Sequence, residues 1–394
     1  MNEKIVLGLG DNIDYEIVWD SDVIQDMILR YDIHDFELST NKEIASERDL
    51  VISILGFLKS ESGGERFVSS PEIIELFTQN FENKITLGGT SVRAAIAMRK
   101  MGYTSALHLV TINDDVRRLI PKDSPYVCSN IKDSTYPHLI VQFSRDTRVQ
   151  AGDIDICTNR ANRIIYNNDY DNIVMKLNEE LSDLLAGAKV FLISGFNAMQ
   201  DKELLVQRLN SLLKIMNNLP KDALVYYEDA CFYDSSFSKL VQEALTERIN
   251  IYSLNEDELQ HYLGRKLNLL NSGEMMEALA DIGKLINVPL IVVHTRYWAL
   301  AYGKNAMSVK KALKGGITMA TTRFRFGDNF TEKNYMETDR LCQEEEGAVF
   351  ANELKILLGD KVCCIPSVQV EEKKVTTIGL GDAFVGGFLP ALLS

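Results

Sequence analysis

What the 394-residue sequence lacks narrows it first. Its six cysteines (Cys128, Cys157, Cys231, Cys342, Cys363 and Cys364) include no CxxC pair and no zinc-ligand spacing. Reduced structural thiols are the expected state. Positive charge is short as well: 42 Lys and Arg against 56 Asp and Glu leave a net charge of −14. That balance argues against nonspecific nucleic-acid binding and against adsorption to anionic membranes. No apolar run reaches the ~20 residues needed to span a bilayer. The apolar C-terminal stretch is shorter and contains Asp382 and Pro390. Met1-Asn2-Glu3-Lys4 leads straight into a strand-like run with no signal-peptide pattern, so a cytoplasmic protein is expected. There is no periodic repeat. With 46% hydrophobic and 25% charged residues, the chain has the composition of a soluble globular protein. It is long enough for one large core with an accessory lobe, or for two domains.

What is present concentrates at the end, in Thr377-Ile-Gly379-Leu-Gly381-Asp382-Ala-Phe-Val-Gly-Gly-Phe388. Two glycines and an aspartate precede apolar residues at helical spacing. A glycine-rich turn opening into a helix leaves backbone N–H groups unpaired, and these attract anions. A carboxylate among such donors suits a reaction that needs an anion cradle and a base together, as phosphoryl transfer to a hydroxyl does. The chain supplies its own control, because Gly8-Leu9-Gly10-Asp11 repeats the four letters. The residues after Asp11 alternate like a strand and start no helix.

Lys4 to Gly10 reads as a buried first strand, and the polar Asp11-Asn12-Ile13-Asp14 lies at its end, where ligands of α/β sheets collect. Taken alone, Asp14 reads as the head of an Asx turn after a strand. Tyr15 to Trp19 is expected to start a second small sheet. Helical material spans Asn41 to Lys59, and Ser70-Pro71 begins another helix. Gly88-Gly89 opens a helix from Ser91 to Met101. Residues 137–143 and 163–166 read as strands flanking a polar connection that holds Arg160 and Arg163. From Ala188 onward strand alternates with helix, which predicts a parallel sheet covered on both faces. Its strands end in Glu228, in Asn255-Glu256-Asp257-Glu258 and in His294. Asn255 and Glu258 share one face of a helix start, which by itself reads as an N-cap Asn followed by acids favourable to the helix dipole.

Taken in order, Asn-Ile-Asp, Gly-Gly, Asn162-Arg163, Tyr226-x-Glu228, Asn255-x-x-Glu258, His294-Thr295 and Gly-Leu-Gly-Asp resemble the ADP-dependent sugar kinases of the ribokinase-like superfamily. The resemblance implies an αβα core with a small, mainly β lid. The expected division gives residues 1–14, 36–132 and 167–394 to the core and 15–35 and 133–166 to the lid. It further implies Asp382 as general base, with Gly379 and Gly381 forming the anion hole. Asn12, Asp14, Gly88, Gly89 and Arg163 would bind the sugar or sugar phosphate. Asn255 and His294, with the two glycines, would bind the nucleotide, and Glu228 and Glu258 would organise Mg²⁺. Tyr226 stands where that family usually has histidine.

The expected activity is transfer of a phosphoryl group from ADP to glucose or fructose 6-phosphate by a monomer or small homo-oligomer, without nucleic acid or membrane. Ala-Phe-Val-Gly-Gly-Phe is similar to the ATP-dependent branch, which leaves two alternatives. One is an ATP-dependent carbohydrate or nucleoside kinase of the same superfamily. The other is a noncatalytic sugar or nucleotide sensor on the same fold.

Overall fold

The structure, a computed structural model, describes residues 4–371 and 375–393. The opening Met1 to Glu3 and the final Ser394 of the C-terminal stretch lie outside the described residues.

Two sheets organise the chain. The larger has nine strands in the order Val362–Pro366, Trp298–Gly303, Leu290–His294, Ile251–Asn255, Leu224–Glu228, Val190–Ile193, Ile5–Leu7, Ala106–Leu109 and Tyr126–Cys128. Every pair from Leu290–His294 to Tyr126–Cys128 is parallel, and the two strands after Leu290–His294 pair antiparallel. Helices cover both faces. One face buries Phe191, Leu205, Tyr227, Tyr252 and Trp298, and the other Leu7, Leu107, Leu192, Phe384 and Phe388. Strands buried on both sides read as continuous apolar runs, which is why this half is recognisable from sequence.

The smaller sheet has five strands in the order Gly64–Phe67, Asn162–Asn167, His138–Phe143, Asn12–Ile17 and Asn83–Gly88. Its outer face packs against the helices Ser21–Tyr31, Glu47–Ser60 and Pro71–Thr78 through Ile28, Leu50, Ile54, Phe77, Val141 and Tyr166. The hairpin Arg148–Ala151 and Ile154–Cys157 adds Val149, Ile154 and Ile156 to this core. Here the packing departs from the expected division. The segments Glu47–Ser60, Gly64–Phe67, Pro71–Thr78 and Asn83–Gly88, all expected with the larger sheet, pack on or within the smaller one. The reason is visible in Glu47–Ser60, where every residue from Leu50 to Leu58 is buried. A helix apolar all round shows by its pattern that it is covered, not which sheet covers it.

The chain crosses between sheets at Gly8 to Asp11 and again after Gly88, where Thr90–Lys100 begins. That helix and Lys310–Phe326 flank the C-terminal helix Leu380–Ala391. The approach is close: a Cβ on Gly386 would stand 2.9 Å from Ala94 O, and one on Gly387 2.6 Å from Met319 Cβ. The Gly386-Gly387 pair therefore serves helix packing.

Candidate active site

The carboxyl ends of parallel strands share one edge, and the polar residues that end them gather there. Above that edge stands the helix Leu380–Ala391. Its N-cap, Gly379, has φ 62°, the left-handed conformation that a glycine adopts without cost, and among the described residues no side chain caps it. The N–H groups of Leu380, Gly381 and Asp382 thus begin the helix without intrahelical acceptors, while Gly379 O accepts from Ala383 N at 3.0 Å. Asp382 lies in this first turn, its side chain 23% exposed.

On one side of the helix start is a polar face of the smaller sheet. Asn12, Asp14 and Glu16 point to it at the two-residue spacing of a strand. Asp14 Oδ1 accepts from Asn12 Nδ2 at 2.6 Å. Asp14 Oδ2 accepts from Arg93 Nη2 at 2.5 Å, and Arg93 Nε lies 3.8 Å from Asp382 Oδ2. Gly88 pairs with Asn12 across the sheet, and a Cβ there would stand 2.7 Å from Asp14 Oδ2. Gly89 caps Thr90–Lys100 with φ 85°. Arg163 pairs with Gln142, whose Oε1 accepts from Thr377 N at 3.2 Å just before the glycine motif. Ile164 and Tyr166 point into the core behind the sheet, so the alternation turns Arg163 to the front. His138, beside Asp14 on the neighbouring strand, meets Asp169 at 3.2 Å. Burial raises the pKa of Asp14, while Arg93 and His138 pull it down.

On the other side lie the ends of the parallel strands. His294 Nε2 is 2.9 Å from Glu228 Oε1, and Tyr226 donates to Glu228 Oε2 at 3.2 Å. The His294 ring stacks on Phe384 with centroids 4.7 Å apart. Gly381 lies beside this ring, and a Cβ there would meet His294 Cε1 at an ordinary contact distance of 3.5 Å. Burial opposes protonation of His294, but Glu228, with Glu258 and Glu256, outweighs it and the pKa is raised. Asn255 caps the helix Glu256–Leu263: its Oδ1 accepts from Asp257 N and Glu258 N, and Glu258 Oε2 accepts from Asn255 N at 2.7 Å. This reciprocal capping box occupies both residues structurally. Glu258 is buried, and burial, then the neighbouring Asp229, push its carboxyl up to about 8. Asp229 accepts from Tyr252 and Tyr262 hydroxyls.

Among the described residues no group of three His, Cys, Asp or Glu is arranged to hold a metal ion directly. Each oxygen of Glu228 and Glu258 already has a protein partner. A crowded, largely buried carboxylate set nonetheless favours a nearby dication, and engaged oxygens suit contact through an ion's own waters. The residues fit Mg²⁺ in that outer-sphere sense.

Sequence reasoning missed Arg93, Glu16, Gln142, His138 and Asp169. Arg93 had a signal: it interrupts an otherwise small and apolar helix start, Ser91-Val92-Arg93-Ala94-Ala95. Glu16 continues the alternation of Asn12 and Asp14. Asp11, the control, is fully buried, and its Oδ1 accepts from Val110 N at 2.8 Å and Thr111 N at 3.0 Å.

A family model described as the ADP-specific phosphofructokinase/glucokinase conserved region matches residues 3–389. No curated protein matches the chain. Among solved structures, the chain is similar to a phosphofructokinase from Pyrococcus horikoshii OT3 with AMP, at 18% identity and a TM-score of 0.78, covering 100% of this chain and 98% of that one. It is also similar to an ADP-dependent kinase in complex with fructose 6-phosphate and ADPβS, at 14% identity and a TM-score of 0.71, covering 100% and 94%. An adenosine kinase from Anopheles gambiae matches at 14% identity and a TM-score of 0.51, covering 99% and 89%. The fold is thus the ribokinase-like one, with a second sheet over the carboxyl ends of the first.

Proposed function

Because the chain belongs to the ADP-specific phosphofructokinase/glucokinase family, a family of phosphotransferases with an alcohol acceptor, we propose that it transfers the β-phosphoryl group of ADP to a hydroxyl of fructose 6-phosphate or glucose. The observation that supports this best is Asp382 in the first turn of an uncapped helix, linked through Arg93 to Asp14 on the opposing sheet. Asp14 and Asn12 hold acceptor hydroxyls. Asp382 takes the proton of the reacting hydroxyl as its oxygen forms the new bond to phosphorus. The bond from phosphorus to the bridging oxygen of ADP breaks, and AMP leaves with that electron pair. The free N–H groups of Leu380 to Asp382 carry the charge of the migrating phosphoryl group. Arg163 supplies a forked cation for the phosphate of a sugar phosphate. His294 and Asn255 border the nucleotide, and Glu228 and Glu258 would hold the waters of Mg²⁺, which offsets phosphate charge when bound. The smaller sheet covers this edge, keeping water from competing as acceptor.

The test is initial rate with ADP and with ATP at equal concentration, against glucose and fructose 6-phosphate, with Mg²⁺ and with a chelator. ADP should be preferred and the chelator should abolish turnover. A clear ATP preference would instead assign the chain an ATP donor, in keeping with Tyr226 at a position where histidine is usual.

A further inference from the structure

Arg93 lies on the helix Thr90–Lys100, where Val92, Ala94, Ala95 and Met98 enter the apolar core, and is itself only 6% exposed. A guanidinium gives up its water at such a position only when partners replace it. Its partners come from both layers of the molecule. Nη2 donates to Asp14 Oδ2 and lies 3.5 Å from Glu16 Oε1, both on a strand of the smaller sheet. Nε lies 3.8 Å from Asp382 Oδ2, on the helix that packs over the larger sheet. Nη1 faces Gly379, where a Cβ would stand 2.8 Å away.

We propose that Arg93 is a positioning residue, a fork that holds the acceptor anchor Asp14 and the base Asp382 in one frame. This role rests on the proposed phosphoryl transfer and deepens it. Two carboxylates that share one acceptor repel each other, and left alone they would turn apart or share a proton. A guanidinium between them, hydrogen-bonded to Asp14 and in ion-pair contact with Asp382, offsets the repulsion and draws both carboxylates toward one cation. A hydroxyl held by Asp14 is then already aimed at Asp382. A misplacement of about 1 Å in such an arrangement costs roughly 10²-fold in rate.

The experiment compares wild type, Arg93→Lys and Arg93→Ala, with thermal unfolding as the check of fold. Arg93→Ala should lose about 10²-fold in kcat/KM for the acceptor, while KM for ADP changes little. Guanidinium ion added to that variant should restore activity, and ammonium ion should not. Arg93→Lys keeps the charge without the fork and should fall between. Asp14 is faced by Arg93, by His138 from the next strand, by Glu16 on its own strand and by Glu65 at the sheet edge. Losing Arg93 should therefore move the titration of the Asp14 carboxyl, followed by ¹³C NMR and assigned with Asp14→Asn, to higher pH.

A small loss of kcat/KM, or a loss that guanidinium does not restore, would overturn the proposal and leave Arg93 a core ion pair. If Arg93→Ala does not fold, Arg93→Lys with wild-type kcat/KM overturns it equally. Failure of wild type to phosphorylate any sugar would sink the wider function. With wild type active, an unchanged Asp14 titration in Arg93→Ala overturns the positioning role alone.

Discussion

The chain contains Gly-Leu-Gly-Asp twice, and the two copies show what four letters can and cannot specify. At Gly8 to Asp11 the segment succeeds the strand Ile5–Leu7 and leads into the strand Asn12–Ile17. Its aspartate is fully buried, with Oδ1 tied to two backbone amides and Oδ2 without a partner among the described residues. At Gly379 to Asp382 the first glycine takes a left-handed φ, a helix begins, and the aspartate reaches solvent and Arg93. The difference lies in the residues downstream of each copy. Alternating residues carry the first copy into a sheet, and the amides of Gly8 and Leu9 are taken by Leu192 O and Ser194 O. Helical spacing after the second leaves the amides of the first turn free.

The sharpest way to break this comparison is Asp382→Asn against Asp11→Asn. Asp382→Asn keeps shape and loses the proposed base, so kcat should fall by roughly 10²–10⁴-fold. Sugar binding should hold, because Asp14 and Asn12 remain. Near wild-type turnover with an intact fold would make the second copy as structural as the first.

The next largest effect concerns Arg163, the cation proposed for the acceptor's phosphate. Arg163→Ala should raise KM for fructose 6-phosphate by about 10- to 150-fold, the loss of one charge-assisted hydrogen bond worth ~1.5–3 kcal/mol. Glucose should be affected far less. Steady-state kinetics on both sugars check this, and equal effects would remove Arg163 from the phosphate.

The smallest catalytic effect should come from Asp11→Asn, with kcat within about threefold of wild type. Its signature is in stability. Burial pushes the Asp11 carboxyl up to about 7 from an ordinary 3.8. A raised carboxyl means that the folded state holds a proton that the unfolded state has released. Wild-type stability is thus eroded as pH climbs from about 4 to about 7, and then levels. Asparagine has no such proton to lose, so urea midpoints should shift in favour of Asp11→Asn between pH 4.5 and pH 8. A pH-independent gap would mean that Asp11 is ionised throughout.

These contrasts also show what was legible in the sequence. The larger sheet announced itself because buried parallel strands are apolar runs ending in polar residues, and Glu228, Asn255 and His294 end them as the pattern implies. The C-terminal motif was legible because a turn and a helix start are local. The placement of residues 47–88 was not, since it depends on which of two apolar surfaces a covered helix meets, and that is a long-range choice. Arg93 was missed for a similar reason. Its meaning comes from Asp14 and Asp382, which lie 79 and 289 positions away in the chain. A local window reports only an out-of-place charge.

The glycine pair inside the C-terminal helix acts as a gauge between chemistry and packing. Gly386 rests on the backbone of Ala94, the residue next to Arg93, while Asp382 stands four residues before it on the same rigid helix. The thickness of that contact therefore sets the distance between the Arg93 guanidinium and Asp382. A single methyl group added there would touch no substrate, yet it would push the two helices apart and carry Asp382 away from its partner. Sensitivity to substitution should thus run along the helices well beneath the site, reaching residues that never meet a ligand.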